Sequence, residues 1–367
     1  MTHSHRLVAI AVLLIVVSAS RADRLVVVAG GGNGGDGTAA AKAKLVQPFG
    51  VDFSPDGKTM YFVEMVGGER FRCVDEKGIV RTLAGTGAKG SAGDGMSGPK
   101  AQFNGMHSLA VGADGIVYLA DTFNHRIRTY DPKTKVVSAF AGTGEKAFDG
   151  DGGLADFAKF GDTYCLAFDD KKENLYVADL DNHRIRKINL KTKTVTTAAG
   201  NGTKGVPKDG AAATNAPLFD PRAVAVAGDG AVFILERSGH ALRMADESGK
   251  IYTLAGTGTA GSDLGDGAAT QAMFNGPKHL CIEHRDTGYN VLIADTENHR
   301  ILRYTPGAGG GRVTVVAGSG KKGSKIADKG DPLKSELAQP HGVAIHPKTG
   351  EIYIADSSNG RILKIGK

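Results

Sequence analysis

The sequence predicts an all-β fold: a six-bladed β-propeller of four-stranded antiparallel blades, its last blade completed by the N-terminal strand. Three observations carry this expectation. An acidic residue ends an apolar, β-rich run six times, at Glu64, Asp121, Asp179, Glu236, Asp295 and Asp356, with spacings of 57, 58, 57, 59 and 61 residues. A Gly-rich loop with a central Asp recurs in step at Asp36, Asp94, Asp151, Asp209 and Asp266, with a degraded copy around Asp328–Asp331. Finally, the last unit stops one strand short, and a matching orphan strand stands near the N-terminus. Two independent markers keeping one period are the signature of a repeat array.

The first 22 residues read as a secretory signal rather than as part of the fold. Arg6 precedes the apolar run Leu7 to Val17, and Ser18, Ala19, Ser20 and Ala22 follow, so cleavage is expected after Ser20 or Ala22. The alternative is an uncleaved anchor, but this run of 11 residues falls short of the ~20 that span a bilayer. The expectation is an exported protein, periplasmic or extracellular, whose residues 23–367 form one propeller domain. Without Arg6 and Arg21 the formal net charge falls from +6 to +4, and Lys and Arg are scattered. That distribution gives no support to nucleic-acid binding.

Within a unit the pattern is strand-like throughout. In the second, Ser108–Val111 leads through the Asp114-Gly115 turn into Ile116–Ala120; Arg126–Tyr130 and Val136–Ala141 follow. Short runs of Val, Ile, Leu and Tyr between Asp-Gly and Asn-containing turns make a four-stranded meander. Such a sheet cannot bury both faces alone, and radial packing of like sheets solves that problem. The orphan strand Leu25–Gly30 (LVVVAG) matches fourth strands such as Val313–Gly318 (VTVVAG), and the last unit ends with its third strand, Arg361–Ile365. Pairing the two removes two exposed edges and closes a ring.

The linkers have the form AGTG…GDG…A…F, as from Ala84 to Phe103. Calcium wants six or more oxygens, usually from several carboxylates, and each loop offers one, so a structural turn is the better reading. Cys73, Cys165 and Cys281 are too few and too far apart for a disulfide framework or a CxxC metal site. They read as small buried apolar residues, with a pairing of two of them left open.

The stretches Asp121-Thr-Phe-Asn-His-Arg-Ile, Asp179-Leu-Asp-Asn-His-Arg-Ile and Asp295-Thr-Glu-Asn-His-Arg-Ile resemble NHL repeats, with Arg in place of the Leu of the family's name. With its GDG linkers the chain is similar to secreted bacterial NHL proteins and to the propeller of teneurins. The resemblance implies six blades, in agreement with the count above. The Asp-Asn-His-Arg clusters could pass for acid–base sets. Chemistry needs one site rather than several, so they read as hairpin closures, the Asp meeting its turn and an Arg.

A functional column is expected where the innermost strands begin: Phe49, His107, Tyr164, Arg222, Lys278 and His341. The next position is small (Gly50, Ser108, Cys165, Ala223, Gly342), except at His279. A scaffold that keeps its repeat yet varies a rim position points to function there. This cationic and aromatic rim suits an anionic ligand, such as a carboxylate, an acidic sugar or an acidic peptide tail; the alternative is that these side chains line a solvated mouth.

Two enzyme families built on this fold supply a second expectation. The peptidylglycine amidating lyases hold zinc with three histidines on alternating blades, where this chain has His107, Arg222 and His341. Two match, and an arginine cannot bind a metal. His279 is a possible substitute, but its side chain is expected on the other face of its strand. The gluconolactonase relatives mark a metal site with a Glu-Gly-Pro start and scattered Asn and Asp ligands. That motif is lacking, and Asp52 is the one acidic residue expected on an innermost strand. The principal reading is therefore a binding module, with a metal-dependent lyase or hydrolase using His107 and His341 as the alternative. Zinc and calcium are carried only by that alternative and by the GDG loops.

Overall fold

The structure, a computed structural model, describes residues 23–286 and 288–366. The expected signal segment, residues 1–22, lies outside the described residues.

Six antiparallel sheets form the blades. Blade 1 comprises Pro48–Phe53, Met60–Glu64, Arg70–Val74 and Val80–Ala84. Blade 2 comprises Leu109–Val111, Val117–Asp121, Arg126–Asp131 and Val136–Ala141, extended by the two-residue strand Met96–Ser97, which the sequence did not suggest. Blade 3 runs through Thr163–Phe168, Asn174–Asp179, Arg184–Asn189 and Val195–Ala199; blade 4 through Pro221–Val226, Val232–Glu236, Ala241–Ala245 and Ile251–Ala255. Blade 5 has His279–His284, Tyr289–Asp295, Arg300–Thr305 and Arg312–Ala317. Blade 6 has Gly342–Ile345, Ile352–Asp356 and Arg361–Gly366, and takes Arg24–Gly30 as its outer strand. The innermost strands contact one another in the order 1-2-3-4-5-6-1, so the ring is closed.

The closing strand pairs in register, Arg24 opposite Gly366 and Leu25 opposite Ile365, and Leu25 is buried. Small residues follow the rim column because neighbouring innermost strands approach closely: a Cβ at Gly342 would lie 2.1 Å from the Phe49 carbonyl. Phe103, Phe160 and Phe274, the aromatic ends of the linkers, are fully buried. Each fills space where its blade meets the preceding one, a burial that stabilises by about 1.5–3 kcal/mol per ring.

The repeated polar residues act within this scaffold. Asp121 accepts from the Asn104 backbone N–H and from Asn124 Nδ2, at 2.8 and 2.9 Å. His125, His183 and His299 take left-handed φ values of 54°, 49° and 54° at the second hairpin turn, where Gly360 stands in blade 6 with 58°. The NHR histidine thus marks a backbone requirement. The arginine part of the expectation needs refinement. In blades 5 and 6, Arg300 and Arg361 do meet Asp295 and Asp356, at 2.8 and 2.7 Å. In blade 2 the equivalent Arg126 lies 3.5 Å from Asp121, and in blade 3 Arg184 donates to the Asn182 and Asn201 carbonyls instead. There the buried arginine two places on, Arg128 or Arg186, lies 3.7 or 3.5 Å from its own blade's Asp121 or Asp179 and pairs more closely with the GDG carboxylate Asp94 or Asp151, both at 2.8 Å. In blade 1 the GDG carboxylate of Asp36 likewise accepts from Arg72 and from the Thr82 N–H.

Candidate functional site

All six residues of the expected column line one cavity of about 350 Å³ at the end of the channel that carries the second hairpin turns. They also touch in blade order. Lys278 Nζ donates to His341 Nε2 at 3.2 Å. The His341 ring stacks on Phe49, centroids 4.0 Å apart and 14° between planes. Phe49 meets His107 edge-on at 5.2 Å, His107 meets Tyr164 edge-on at 4.5 Å, and Arg222 lies over the Tyr164 ring at 4.0 Å. Each residue stands within two places of the first residue of an innermost strand, so the ring of blades itself delivers the ring of side chains.

Hydrogen bonds fix the two imidazoles. His107 Nδ1 is 2.7 Å from the Gly105 carbonyl, and His341 Nδ1 is 2.8 Å from the Gln339 carbonyl. A carbonyl only accepts, so both Nδ1 atoms carry the proton and both Nε2 atoms present a lone pair. Burial, together with the neighbouring Arg222 and Lys278, pushes both histidines well below the ordinary imidazole range, and they are neutral at pH 7.

The cations differ in what answers them. Lys278 pairs with Glu297 at 2.7 Å, and Arg237 stands 3.7 Å from Asp220. Seven arginines are buried: Arg72, Arg128, Arg186, Arg222, Arg243, Arg300 and Arg361. Six have a carboxylate within 2.9 Å. Arg222, only 4% exposed, has neither an ion pair nor a hydrogen bond to any described residue. Burial pushes its guanidinium down to about 10, so it stays charged. An unpaired buried charge is costly, and Arg222 lines the cavity.

The two histidines do not fit a metal as they stand. The Phe49 ring lies between them, stacked on one and edge-on to the other. The lone pair of His341 is already taken by the Lys278 ammonium, and Arg222 adds a second positive charge that would repel a divalent cation. Among the described residues no three His, Cys, Asp or Glu side chains are grouped to hold an ion.

His279 falls outside this cavity. It lines a second one, of about 300 Å³, reached from the other end of the channel, with Cys165, Cys281 and Asp52. Its Nδ1 accepts from the Val343 N–H at 3.4 Å, and burial pushes its pKa down to about 4. The three cysteines are free thiols, Cys73 and Cys165 buried and Cys281 half-buried. Asp52 is not the one acidic residue of the innermost strands. Glu283 lies on that of blade 5, buried against Arg303.

Sequence reasoning missed a second ring around the mouth. Met65, Phe123, Arg237, Ser357 and Ser358 line the same cavity, with Gln47 and Gln339. Each of the first five stands one or two places after an acidic marker, where the repeat varies as much as in the rim column. That variation was the available signal. Gln47, Asp220 and Gln339 hold left-handed φ values of 45°, 54° and 48° beside the site, a strain that non-glycine residues keep only under constraint.

Comparisons with known proteins agree with this architecture. Residues 153–264 match the teneurin NHL domain and residues 337–365 the NHL repeat. The chain is 26% identical over 273 residues to the protein SUPPRESSOR OF QUENCHING 1, chloroplastic, of Arabidopsis thaliana, covering 71% of this chain and 25% of that protein. It is 27% identical over 269 residues to NHL repeat-containing protein 2 of Gallus gallus, covering 66% and 36%. The chain thus spans about a quarter to a third of these relatives. Among solved structures, an auxiliary nutrient binding protein of Bacteroides thetaiotaomicron superposes with a TM-score of 0.68 at 16% identity, covering 94% of this chain and 76% of that one. A gluconolactonase of Xanthomonas campestris superposes with a TM-score of 0.57 at 10% identity, covering 94% and 89%. With its repeats, its family matches and its closed ring of six blades, the chain belongs to the NHL-repeat family.

Proposed function

We propose that this protein is an exported binding module whose propeller mouth receives an anionic ligand on Arg222. One observation carries the reading: of seven buried arginines, Arg222 alone lacks a carboxylate among the described residues. A charge held out of water without a partner is favoured once an anion joins it, and a guanidinium can grip a carboxylate through two parallel hydrogen bonds. Neutral His107 presents a bare Nε2, which can accept from an O–H or N–H of the ligand but not from its carboxylate. The name of the Bacteroides neighbour, a nutrient binding protein, points the same way. Export rests on the charge and hydropathy pattern of residues 1–22; no helix of the described residues is long and apolar enough to cross a membrane.

A thermal-shift screen of carboxylates tests the reading. Ligands should raise the Tm of the wild type and leave Arg222→Gln unmoved. Equal shifts in both proteins would contradict it.

His107 favours a second reading. Its bare Nε2 lines the cavity that holds Arg222, so a base and an anion-stabilising cation share one space, as a lyase or hydrolase requires. Turnover lost in His107→Gln, with binding retained, would support that reading.

A further inference from the structure

We infer that the ligand of the cavity lined by Arg222 is an amphiphilic carboxylate, with an apolar body opposite its charged head, rather than a polyhydroxylated acid. The inference rests on the anion reading above and extends it. The mouth is divided chemically. Blades 4 and 5 supply Arg222, Arg237 and Lys278, while blades 1 and 2 supply Phe49, Met65 and Phe123. In a closed ring of six, blade 1 faces blade 4 and blade 2 faces blade 5. A ligand whose head reaches Arg222 therefore lays its body toward two phenyl rings and a thioether.

The hydrogen-bonding capacity of the wall is divided in the same way. A sugar acid would bring several hydroxyls to the side of blades 1 and 2, where Gln47 and the single Nε2 lone pair of His107 are the polar side-chain groups lining the cavity. On blade 6 the Ser357 hydroxyl already donates to the Pro48 carbonyl at 2.6 Å, and Ser358 to Gln339 Oε1 at 2.9 Å. Hydroxyls buried there without partners cost affinity, while an apolar body loses nothing and gains contact. Phe123 is half-buried and set edge-on to His107 at 5.5 Å, so part of its ring remains open to the cavity. The volume of about 350 Å³ lies at the small end of the range for small-molecule sites, which suits a single compact ligand.

Calorimetry on the wild type with 3-phenylpropionate, its neutral amide and D-glucuronate tests this, beside Phe123→Ser, Met65→Gln and Arg222→Gln. The expected result is phenylpropionate binding at least ~10-fold tighter than either other compound. Phe123→Ser and Met65→Gln should weaken phenylpropionate several-fold and leave the weak glucuronate signal in place. Glucuronate binding as tightly as phenylpropionate, and lost in Arg222→Gln, would overturn the inference while the anion reading stands. Equal loss of both acids in Phe123→Ser would overturn it too, because the ring would then only hold His107 in place. Acid and amide binding alike, or no compound binding at all, would remove both.

Discussion

The Arg222 guanidinium lies 4.0 Å from the centroid of the Tyr164 ring, and among the described residues that aromatic face is the one group that answers its charge. A cation–π contact contributes about 0.5–2 kcal/mol, well below the cost of leaving a guanidinium buried and unpaired. The site is therefore held in a state that an anion improves. Binding sites are commonly built in this way, from groups that are worse placed for stability than for a partner.

This imbalance separates two arginines that look alike in the sequence. Arg222→Gln removes an unpaired charge and should leave stability unchanged or raise it by up to about 1 kcal/mol. Arg128→Gln takes the closer buried guanidinium away from Asp94 and the buried Asp121, leaving both to Arg126 alone, and should cost about 3 kcal/mol. Chemical denaturation of the two variants checks the contrast, and equal losses would contradict it.

The GDG carboxylates Asp36, Asp94, Asp151 and Asp209 are met by protein donors. Asp151 takes Arg186 at 2.8 Å on one oxygen and Thr197 on the other. Asp151→Asn should lower stability by about 1–3 kcal/mol, and EDTA should leave the wild-type Tm unmoved. A Tm that falls in EDTA and returns with calcium would mean that the loops bind the ion.

Ring closure is a pairing that connectivity does not need. Because Arg24 stands opposite Gly366, the strand Arg24–Gly30 can follow Gly366 through a two-residue Asn-Gly turn. A variant with the strand moved there should melt cooperatively near the wild-type Tm. Deleting the strand outright should abolish cooperative melting, since it exposes an edge and the seat of Leu25.

His279 makes stability depend on pH. Its folded pKa, about 4, lies below the unfolded value of about 6.5, so the unfolded chain takes up a proton that the folded chain refuses. The stability it contributes is complete above pH 6.5 and is lost as pH falls from there toward 4, by roughly 3 kcal/mol in all. His279→Asn should lessen the pH dependence of the urea midpoint across that window, to which His107 and His341 contribute with the same sign. An unchanged slope would place the proton uptake elsewhere.

Much of this architecture was legible in the sequence because repetition reports geometry. The markers Glu64 to Asp356 gave blade number, and LVVVAG at Leu25–Gly30 gave the closing strand, since each blade must solve the same packing problem. The same logic made Phe49, His107, Tyr164, Arg222, Lys278 and His341 visible as positions released from the scaffold. What stayed hidden depends on side-chain direction and long-range pairing. Whether Arg222 meets a carboxylate is decided by blades that are 50 or more residues away in the chain. Met65, Phe123 and Arg237 vary beside an invariant-looking marker, and nothing local shows which of them turn toward the mouth. The placing of Arg128 between a GDG loop and Asp121 follows from packing against the linker that no single hairpin contains.

The most direct measurement is a crystal of the wild type soaked in bromide, with the anomalous signal recorded at the bromine edge. A peak within hydrogen-bond distance of the Arg222 guanidinium, gone in Arg222→Gln, is the predicted result. Peaks confined to surface lysines, with density at Arg222 empty of halide at saturating bromide, would contradict the claim that Arg222 is an anion receptor.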